Sequence, residues 1–360
     1  MKLFHQIILL SLVVAVAACS KSEPQPQVET PKKVLEIKAL DMSLLPKIRQ
    51  SGIVFQSQNG QAEDMLTTLK TAGANTIRLR IWNNPNPDGS VSNLASVRLL
   101  ANEMKSKGFK VMLSVHYSDT WADPGTQTKP QHWQNCTFNQ LKDSVFQYTS
   151  KIMSQIQPDY IQIGNEINNG FLFPDGQIQN LANFKLLIKQ GCAAVRAHNP
   201  NTKIILHLAG HNQALSFFNQ MQDIDYDIIG LSYYPIWHGK SLIDLEQNLE
   251  LISNAQNKPI FIAETAYPFT LNWNDYTNNI IGLNSQILPE FEASASGQQQ
   301  FLNQIKTIIT KVPKGIGFCY WGAEWVAYNG PTATNGSAWE NQALWNFQHQ
   351  AQPALSVFSN

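Results

Sequence analysis

Eight short apolar segments recur along the 360-residue chain, and most of them are followed by a stretch with helical spacing. These segments are residues 37–43, 75–81, 110–116, 159–165, 203–209, 227–233, 259–265 and 316–322. Apolar segments of this length that alternate with helices are typical of parallel strands buried on both faces. We therefore expect an α/β fold consisting of one (β/α)8 TIM barrel. A doubly wound open sheet is the alternative, but no GxGxxG motif follows any strand.

The stretches between the strands carry helix signals. Apolar residues recur at helical spacing within 141–156 and within 301–312. Pro158 is expected to stop the first of these helices, because proline cannot continue the backbone hydrogen bonding. Gly73 and Gly108 are expected to end two earlier helices, just ahead of strands two and three.

The N-terminal residues 1–18 are predicted to be an export signal rather than part of the fold. Their apolar run is too short to cross a bilayer, and it leads into Ala-Ala-Cys, which resembles the bacterial lipobox. We expect lipidation of Cys19, a polar, Pro-rich tether over 19–35 and a catalytic barrel over 36–360. Ser20 resembles an outer-membrane sorting signal, which indicates an exported bacterial lipoprotein at the outer membrane, either at the cell surface or facing the periplasm. The alternative is an ordinary secretory signal with an incidental cysteine.

The net charge excludes several classes of partner. The chain has 26 basic and 26 acidic residues, and removal of the signal deletes one Lys and no acid, which leaves 25 and 26. A nearly neutral protein has no strong electrostatic attraction for nucleic acid or anionic lipid. We expect no nucleic-acid partner, membrane contact through the lipid anchor only, and a monomer, since nothing in the sequence indicates an oligomer.

Three further cysteines permit at most one internal disulfide in an oxidising compartment. Cys192 lies in a helix pattern and Cys319 in a strand pattern, so both are expected to be small buried apolar residues, while Cys136 has no assigned role. No Cys/His spacing suggests zinc, and we expect neither a metal nor a cofactor.

Polar or aromatic residues stand at the end of most predicted strands. In chain order they are Asp41, Arg78, Arg80, His116, Asn165, Glu166, His207, Tyr233, Tyr234, Glu264 and Trp321. The carboxyl ends of the strands carry the active site in barrels of this type. Buried ionisable groups cost free energy unless they are paired, so this many at one mouth indicate a functional site.

Glu166 and Glu264 are the central candidates. They end strands four and seven, which we expect to face each other across the barrel. Two carboxyl groups that flank a glycosidic bond are the usual apparatus of glycoside hydrolysis. Each glutamate alone could be a helix cap or part of an ion pair, but the pair, with Asn165 before the first, favours catalysis.

Two arginines and nine tryptophans support a sugar-binding mouth. Arg78 and Arg80 share one face of a strand, where an arginine can keep a nucleophilic carboxylate ionised, although either could be a structural ion pair. His116 leads into a polar and aromatic loop, 117–124, that is typical of a cleft, whereas His207 is interpreted as structural. Tryptophan faces stack on sugar rings, and five of them fall on the predicted active-site side: Trp121, Trp237, Trp321, Trp325 and Trp339.

From Asp41 to the C-terminus, the chain resembles glycoside hydrolase family 53, the endo-β-1,4-galactanases, a family of retaining barrel enzymes. The resemblance is carried by 75–83 (NTIRLRIWN), 116–125 (HYSDTWADPG), 163–170 (IGNEINNG), 230–239 (GLSYYPIWHG), 261–268 (FIAETAYP) and 336–347 (GSAWENQALWNF). It implies Glu166 as general acid/base, Glu264 as nucleophile and cleavage of internal bonds in β-1,4-galactan, a side chain of pectin. We expect a raised pKa for Glu166 and a low one for Glu264.

The resemblance also implies which residues contact substrate or the nucleophile. They are Asn165 at the sugar 2-hydroxyl, Arg78 and one tyrosine of the pair Tyr233 and Tyr234 at the nucleophile, and Trp321 below the cleaved sugar. We further expect substrate contacts from Arg80, His116, Asp119, Trp121, His238 and both tyrosines of the pair.

The chain departs from the family pattern in three loops. Residues 45–52 lack an expected acidic residue, and in 321–325 (WGAEW) the acid after strand eight is displaced. Residues 272–276 hold one Asp, too few carboxylates for the calcium loop of some bacterial relatives, so we expect no metal.

Three alternatives remain. The first is another retaining endo-glycanase of the same clan, acting on mannan or cellulose. The second is a surface lipoprotein that binds galactan without cutting it, although a binder has no need of two opposed carboxylates. A structural lipoprotein is the third, and it leaves the Trp-rich mouth unexplained.

Overall fold

The computed structural model of the chain describes residues 33–359. The predicted signal, Cys19 and all but the last three residues of the predicted tether lie outside these residues. The remainder, from Val34 onward, is one compact unit.

Eight parallel strands close into a barrel in the order of the chain. They are β1 (Ile37–Asp41), β2 (Thr76–Ile81), β3 (Lys110–Val115), β4 (Tyr160–Ile163), β5 (Lys203–Ala209), β6 (Ile228–Ser232), β7 (Ile260–Thr265) and β8 (Gly315–Tyr320). Each lies within or next to one of the eight predicted segments. The predicted (β/α)8 barrel is therefore confirmed, and the doubly wound sheet is excluded because β1 pairs with β8.

Helices cover the outside of the barrel. They are α1 (Leu45–Gln50), α2 (Met65–Thr71), α3 (Leu94–Ser106), α4 (Phe138–Ile156), α5 (Leu181–His198), α6 (Ala214–Asn219), α7 (Pro235–His238), α8 (Leu242–Gln256) and α9 (Ala295–Lys311). Short 3₁₀ helices span Pro87–Ser92, Gln131–Trp133, Ile178–Asn180, Asn284–Gln286, Glu340–Gln342 and Pro353–Phe358.

The helix boundaries follow from local sequence signals. Thr137 begins α4 with a capping box, in which its side chain accepts from Gln140 N and the Gln140 side chain accepts in return. The helix ends at Ile156, just before the predicted stop at Pro158. Gly73 and Gly108 follow α2 and α3 with φ of 97° and 77°, as predicted, because glycine adopts the left-handed conformation without steric cost.

Strand alternation decides which side chains enter the barrel. In β2, Ile77 and Leu79 pack in the core between the sheet and the helices, whereas Arg78 and Arg80 lie on the opposite, inner face. A separate apolar cluster made of strand residues fills the interior: Ile37, Ala39, Met112, Tyr160, Ile205, Ile228, Phe261, Ala263 and Cys319. The polar side chains of the candidate site lie above this layer, towards the carboxyl ends of the strands.

An irregularity in β7 changes the direction of the Glu264 side chain. Relative to β6 and to β8, strand β7 carries one extra residue between Ile262 and Thr265. Strict alternation would put Glu264 on the outer face with Ile262, because Ala263 already faces the interior. Such a bulge bends the strand and redirects the following side chain, so Glu264 points into the mouth of the barrel.

Two further expectations concern cysteines and membrane segments. Cys192 and Cys319 are buried as predicted, and the three cysteines within residues 33–359 are free thiols. Within that range, every helix is too short or too polar to span a bilayer.

Candidate active site

A cleft of about 580 Å³ opens at the carboxyl ends of the strands. The lining includes the side chains of Arg78, Arg80, His116, Trp121, Asp123, Asn165, Glu166, Tyr234, Trp237, His238, Glu264, Trp321, Trp325 and Trp339. All predicted site residues except Asp119 and Tyr233 are in this set, and so are the five tryptophans expected on this side.

Glu264 has a strongly polar environment despite its burial. Its Oε1 accepts a hydrogen bond from Arg78 Nη2 at 2.8 Å, and its Oε2 accepts one from the Tyr234 hydroxyl at 3.0 Å. Of the two tyrosines in the predicted pair, Tyr234 contacts Glu264, whereas the Tyr233 hydroxyl bonds Gly239 O. Both contacts stabilise the ionised carboxylate, and both leave its oxygens in reach of the cleft.

Arg78 organises the floor of the site. Its Nη1 donates to Asp41 at 2.7 Å and its Nε to Gln162 at 2.7 Å, while Nη2 reaches Glu264, Ser114 and Asn165. Although burial lowers the pKa of Arg78, the charges of Glu264 and Asp41 raise it above its ordinary value. The guanidinium is therefore a fixed positive charge between two carboxylates.

Glu166 stands on a strained turn after β4. Gly164 has a φ of 84°, and a Cβ there would lie 2.4 Å from Ile167 Cγ2, so the turn requires glycine. Glu166 itself has a φ of 47°, which costs conformational energy in a residue with a side chain. The turn lifts its carboxyl into the cleft, where Oε1 accepts from the Ser232 hydroxyl at 2.5 Å.

The two carboxyls differ in their tendency to hold a proton. Desolvation and the nearby charge of Glu264 raise the pKa of Glu166 to about 8, as the predicted acid role requires. The expected low pKa of Glu264 is wrong in sign, because burial raises it above its ordinary value. Arg78 and Tyr234 oppose that effect, because a positive charge and a hydrogen bond both stabilise the ionised carboxylate and so lower its pKa.

Asn165 is held between these groups. Its Oδ1 accepts from Arg78 Nη2 at 2.9 Å and from Ser114 at 3.0 Å, while its Nδ2 donates to Ala122 O at 2.8 Å. The second hydrogen on Nδ2 remains for a ligand in the cleft.

Aromatic rings form the walls of the cleft. Trp321 lies against Trp325 and Trp339, with ring centroids 5.0 and 4.8 Å away. Next to them, Arg80 stacks between Trp121 and Trp82, at 4.0 and 4.6 Å from the ring centroids, and the Trp121 centroid is 6.0 Å from that of Trp321. Stacked guanidinium and indole groups give a flat apolar surface with polar edges, which suits a sugar ring.

Two predicted site residues have structural roles instead. Asp119 uses both carboxylate oxygens to accept backbone N–H groups, from Asn84 and Gln131 at 2.8 Å each. Tyr233 is fully buried on the outer face of its strand, and its hydroxyl donates to Gly239 O at 2.9 Å. Neither side chain lines the cleft, and their hydrogen bonds hold loops, so substrate contact by Asp119 and Tyr233 remains an untested prediction.

A family model described as Glycosyl hydrolase family 53 matches residues 37–358. The chain belongs to this family. It is a glycoside hydrolase, and the predicted resemblance is confirmed.

Similar proteins support the assignment over nearly the whole domain. An arabinogalactan endo-β-1,4-galactanase of Cellvibrio japonicus (strain Ueda107) is 33% identical over 338 residues, which cover 88% of this chain and 89% of that protein. A GH53 catalytic domain of Ignisphaera aggregans has a TM-score of 0.86 at 36% identity, covering 91% of this chain and 97% of that one. A structure of fungal β-1,4-galactanases has a TM-score of 0.78 at 28% identity, covering 90% and 99%.

One departure from the family 53 pattern has a structural explanation. Glu324, the displaced acid after β8, is completely buried, and its Oε1 accepts from Leu44 N at 2.7 Å. It therefore fixes the loop after β1, which lacks its own expected acid. Burial, followed by the charge of Asp41, raises the pKa of Glu324 well above its ordinary value.

Within residues 33–359, no group of three or more His, Cys, Asp or Glu side chains has the geometry to hold a metal ion. The expectation that the enzyme works without a metal remains a prediction.

Sequence reasoning missed two residues of this family 53 site. His207, interpreted as structural, and Ser232, not singled out, lie directly behind Glu166 and Asn165. A signal was available, because alternation puts His207 on the same face as Ile205 and Ser232 on the same face as Ile228, both inside the barrel.

Proposed function

We propose that the protein is a retaining endo-β-1,4-galactanase that cuts internal bonds of β-1,4-galactan, including type I arabinogalactan. Glu166 is the general acid/base and Glu264 is the nucleophile. The observation that carries the proposal is the contrast between a carboxyl bound by Arg78 and Tyr234 and a neighbouring carboxyl with a pKa of about 8. The names of the relatives support the choice of galactan.

In the first step, an oxygen of Glu264 attacks C1 of the sugar bound above Trp321. The bond between C1 and the glycosidic oxygen breaks, and Glu166 transfers its proton to that oxygen. The leaving part of the chain departs with a neutral hydroxyl, and a covalent galactosyl ester remains on Glu264. The electron pair of the new bond comes from the Glu264 carboxylate, so its hydrogen bonds from Arg78 and Tyr234 weaken as its negative charge is lost.

In the second step, the ionised Glu166 takes a proton from a water molecule whose oxygen attacks C1. The ester bond breaks, Glu264 recovers its charge next to Arg78, and the product keeps the configuration of the substrate. The free hydrogen on Asn165 Nδ2 supports its predicted role at the 2-hydroxyl. Trp121, Arg80 and His238 extend the contact surface for neighbouring sugars.

The test is reducing-end release by the full chain from linear β-1,4-galactan, mannan and cellulose, beside a Glu264→Ala control. We expect short oligomers from galactan alone, with retention of configuration by NMR, and no product from the variant. Release from mannan or cellulose in preference to galactan would reassign the substrate. Retention of galactan in an affinity gel without cleavage would show that the protein binds galactan without cutting it. The catalytic roles proposed for Glu166 and Glu264 would then be wrong.

We also propose that the enzyme is exported, lipidated at Cys19 and anchored at the outer membrane or cell surface, where it acts as a monomer. The apolar segment, the lipobox-like Ala-Ala-Cys and Ser20 support this proposal. Metabolic labelling with a fatty acid should mark the parent and not Cys19→Ala. Labelling of both proteins would contradict lipidation at Cys19. A dimeric mass by light scattering would contradict the proposed monomer.

A further inference from the structure

A serine and a histidine that the proposed mechanism does not use lie behind Glu166. The Ser232 hydroxyl oxygen is 2.5 Å from Glu166 Oε1 and 2.9 Å from His207 Nε2. The other ring nitrogen of His207 is 3.2 Å from Asn165 Oδ1. Ser232 is 1% exposed and His207 is 0% exposed, so water does not compete for these contacts.

The tautomer of His207 follows from its neighbours. Asn165 Nδ2 donates to the Ala122 carbonyl, so the amide orientation is fixed and Asn165 Oδ1 faces His207 as an acceptor. The Nδ1 atom of His207 must therefore carry the hydrogen. Burial, and then the charge of Arg78, lower the pKa of His207 well below its ordinary value, so the ring is neutral and Nε2 is an acceptor.

The hydroxyl hydrogen of Ser232 can therefore be donated to either of two acceptors, His207 Nε2 or Glu166 Oε1. When Glu166 is protonated, its own hydrogen can be donated to Ser232 Oγ, and the serine hydrogen is free to point at His207 Nε2. When Glu166 is ionised, the serine hydrogen is needed by the carboxylate, and His207 Nε2 is left without a donor. Rotation of a hydroxyl about its C–O bond is enough to change between the two arrangements.

We infer that Ser232 and His207 form a hydrogen-bond switch, in which the serine hydroxyl turns from His207 to Glu166 each time the acid/base loses its proton. Both are positioning residues that act through Glu166. This inference rests on the proposed function for the task of Glu166, but the switch itself is a property of the protein without substrate.

The two partners have opposite effects on the proton of Glu166. Ser232 favours the ionised form, because a hydrogen bond to a carboxylate is stronger than one to a neutral carboxyl. His207 favours the protonated form, because only that form leaves the serine hydrogen free for Nε2. The Glu166 carboxyl therefore keeps a hydrogen bond to Ser232 in both steps of the reaction. Because the two partners oppose each other, neither the protonated nor the ionised form of Glu166 is strongly favoured.

Other groups around the switch also affect Glu166. The charged and titratable groups facing it are Arg78 of β2, His116 and Asp123 after β3, Tyr234 and His238 after β6, and Glu264 of β7. None of them is altered in the variants below, so a difference between variants reports on the switch alone.

The experiment is a direct titration of Glu166 in the full chain labelled with ¹³C at the glutamate carboxyl carbons, with the resonance identified by its absence in Glu166→Gln. Ser232→Ala should raise the titration midpoint of Glu166 by about one pH unit, since it removes one charge-assisted hydrogen bond. His207→Asn keeps a donor near the Nδ1 position and removes the Nε2 acceptor. It should lower the midpoint by about half a unit.

A double variant tests whether His207 acts on Glu166 through Ser232, and a control variant tests the general effect of losing a buried hydroxyl. In Ser232→Ala, the further change His207→Asn should leave the midpoint where the single serine variant puts it, because the link is already broken. Thr149→Val removes a buried hydroxyl that bonds Tyr117 and Val145, away from Glu166, and should lower stability without moving the midpoint. Shifts in the same direction in both single variants, or no shift in Ser232→Ala, would overturn the switch.

A separate measurement, the pH dependence of kcat/KM on galactan, tests the proposed function. The basic limb of kcat/KM on galactan should move with the midpoint in each variant. A parent that titrates as described but cuts no galactan would contradict the proposed function and leave the switch intact.

Discussion

The surroundings of Glu264 and of Glu166 differ more than the residues themselves. Glu264 accepts from a guanidinium and a phenol, and the guanidinium is fixed from behind by Asp41. Glu166 accepts from one serine hydroxyl and faces the open cleft. Both are withdrawn from bulk water, so burial raises the pKa of each, and the difference in partners decides which one keeps its proton.

This comparison teaches that a catalytic role can be assigned from neighbours rather than from the carboxyl alone. A nucleophile requires a negative charge next to the reacting carbon, and Arg78 supplies the stabilisation that burial removes. An acid/base requires a proton that can leave and return near neutral pH, and burial beside the charge of Glu264 provides that condition for Glu166. The predictions below alter one side of the comparison at a time.

The largest effect is expected from Glu264→Ala, which removes the proposed nucleophile. The rate of galactan cleavage should fall by at least ~10⁴-fold, since no covalent intermediate can form. Steady-state release of reducing ends measures the loss, and retained binding of galactan provides the control for folding. Residual cleavage within tenfold of the parent would assign the nucleophile elsewhere.

Glu166→Ala should lower galactan cleavage by about 10³-fold, because the glycosidic oxygen must then leave without a proton. An aryl galactoside with a good leaving group needs no such proton, so its first step should be nearly normal. The basic limb of the pH–rate profile should disappear in this variant. A basic limb unchanged from the parent would show that another residue is the acid.

Arg78→Lys should shift the acid limb of kcat/KM. Arg78 lowers the pKa of Glu264, so the loss of its fork of donors should raise that pKa and move the acid limb upward by about one to two pH units. Activity at neutral pH should fall by roughly 10²-fold, and unfolding in urea should report a loss of stability because Asp41 or Glu264 is left poorly paired. An acid limb that stays in place would disconnect Arg78 from Glu264.

The smallest effect is expected from Tyr234→Phe, and Tyr233→Phe is its matched control. The first variant loses one hydrogen bond to Glu264 and should lower kcat about tenfold. The second loses the bond to Gly239 O and should cost about 1 kcal/mol of unfolding free energy with kcat unchanged. An equal loss of kcat in both would mean that the tyrosines are interchangeable.

The barrel could be predicted because eight short, mostly apolar segments recur along the chain and most are followed by helix signals. Continued one turn of the pleat beyond β6, the same alternation puts Tyr233 on the face of Leu231 and Tyr234 on the face of Ser232. Applied strictly, alternation would have removed Tyr233 from the predicted site and added Ser232.

Other parts of the site depend on structural features that no repeating pattern of the sequence marks. The bulge in β7 turns Glu264 inward against the alternation, and nothing in IFIAET marks its position. Asp119 has the composition of a site residue, but two backbone N–H groups from distant loops occupy its oxygens. The pKa of Glu264 also required the extent of its burial, which the sequence does not contain.

The most direct test of the division of roles is to trap the covalent intermediate. A galactobioside with fluorine at C2 and an activated leaving group should form an ester that hydrolyses slowly, because the electron-withdrawing fluorine slows both steps while the good leaving group speeds the first. Peptide mass spectrometry should then locate one added galactobiosyl group on Glu264. An ester on Glu166, or the absence of any ester from an enzyme that cuts galactan, would contradict the account.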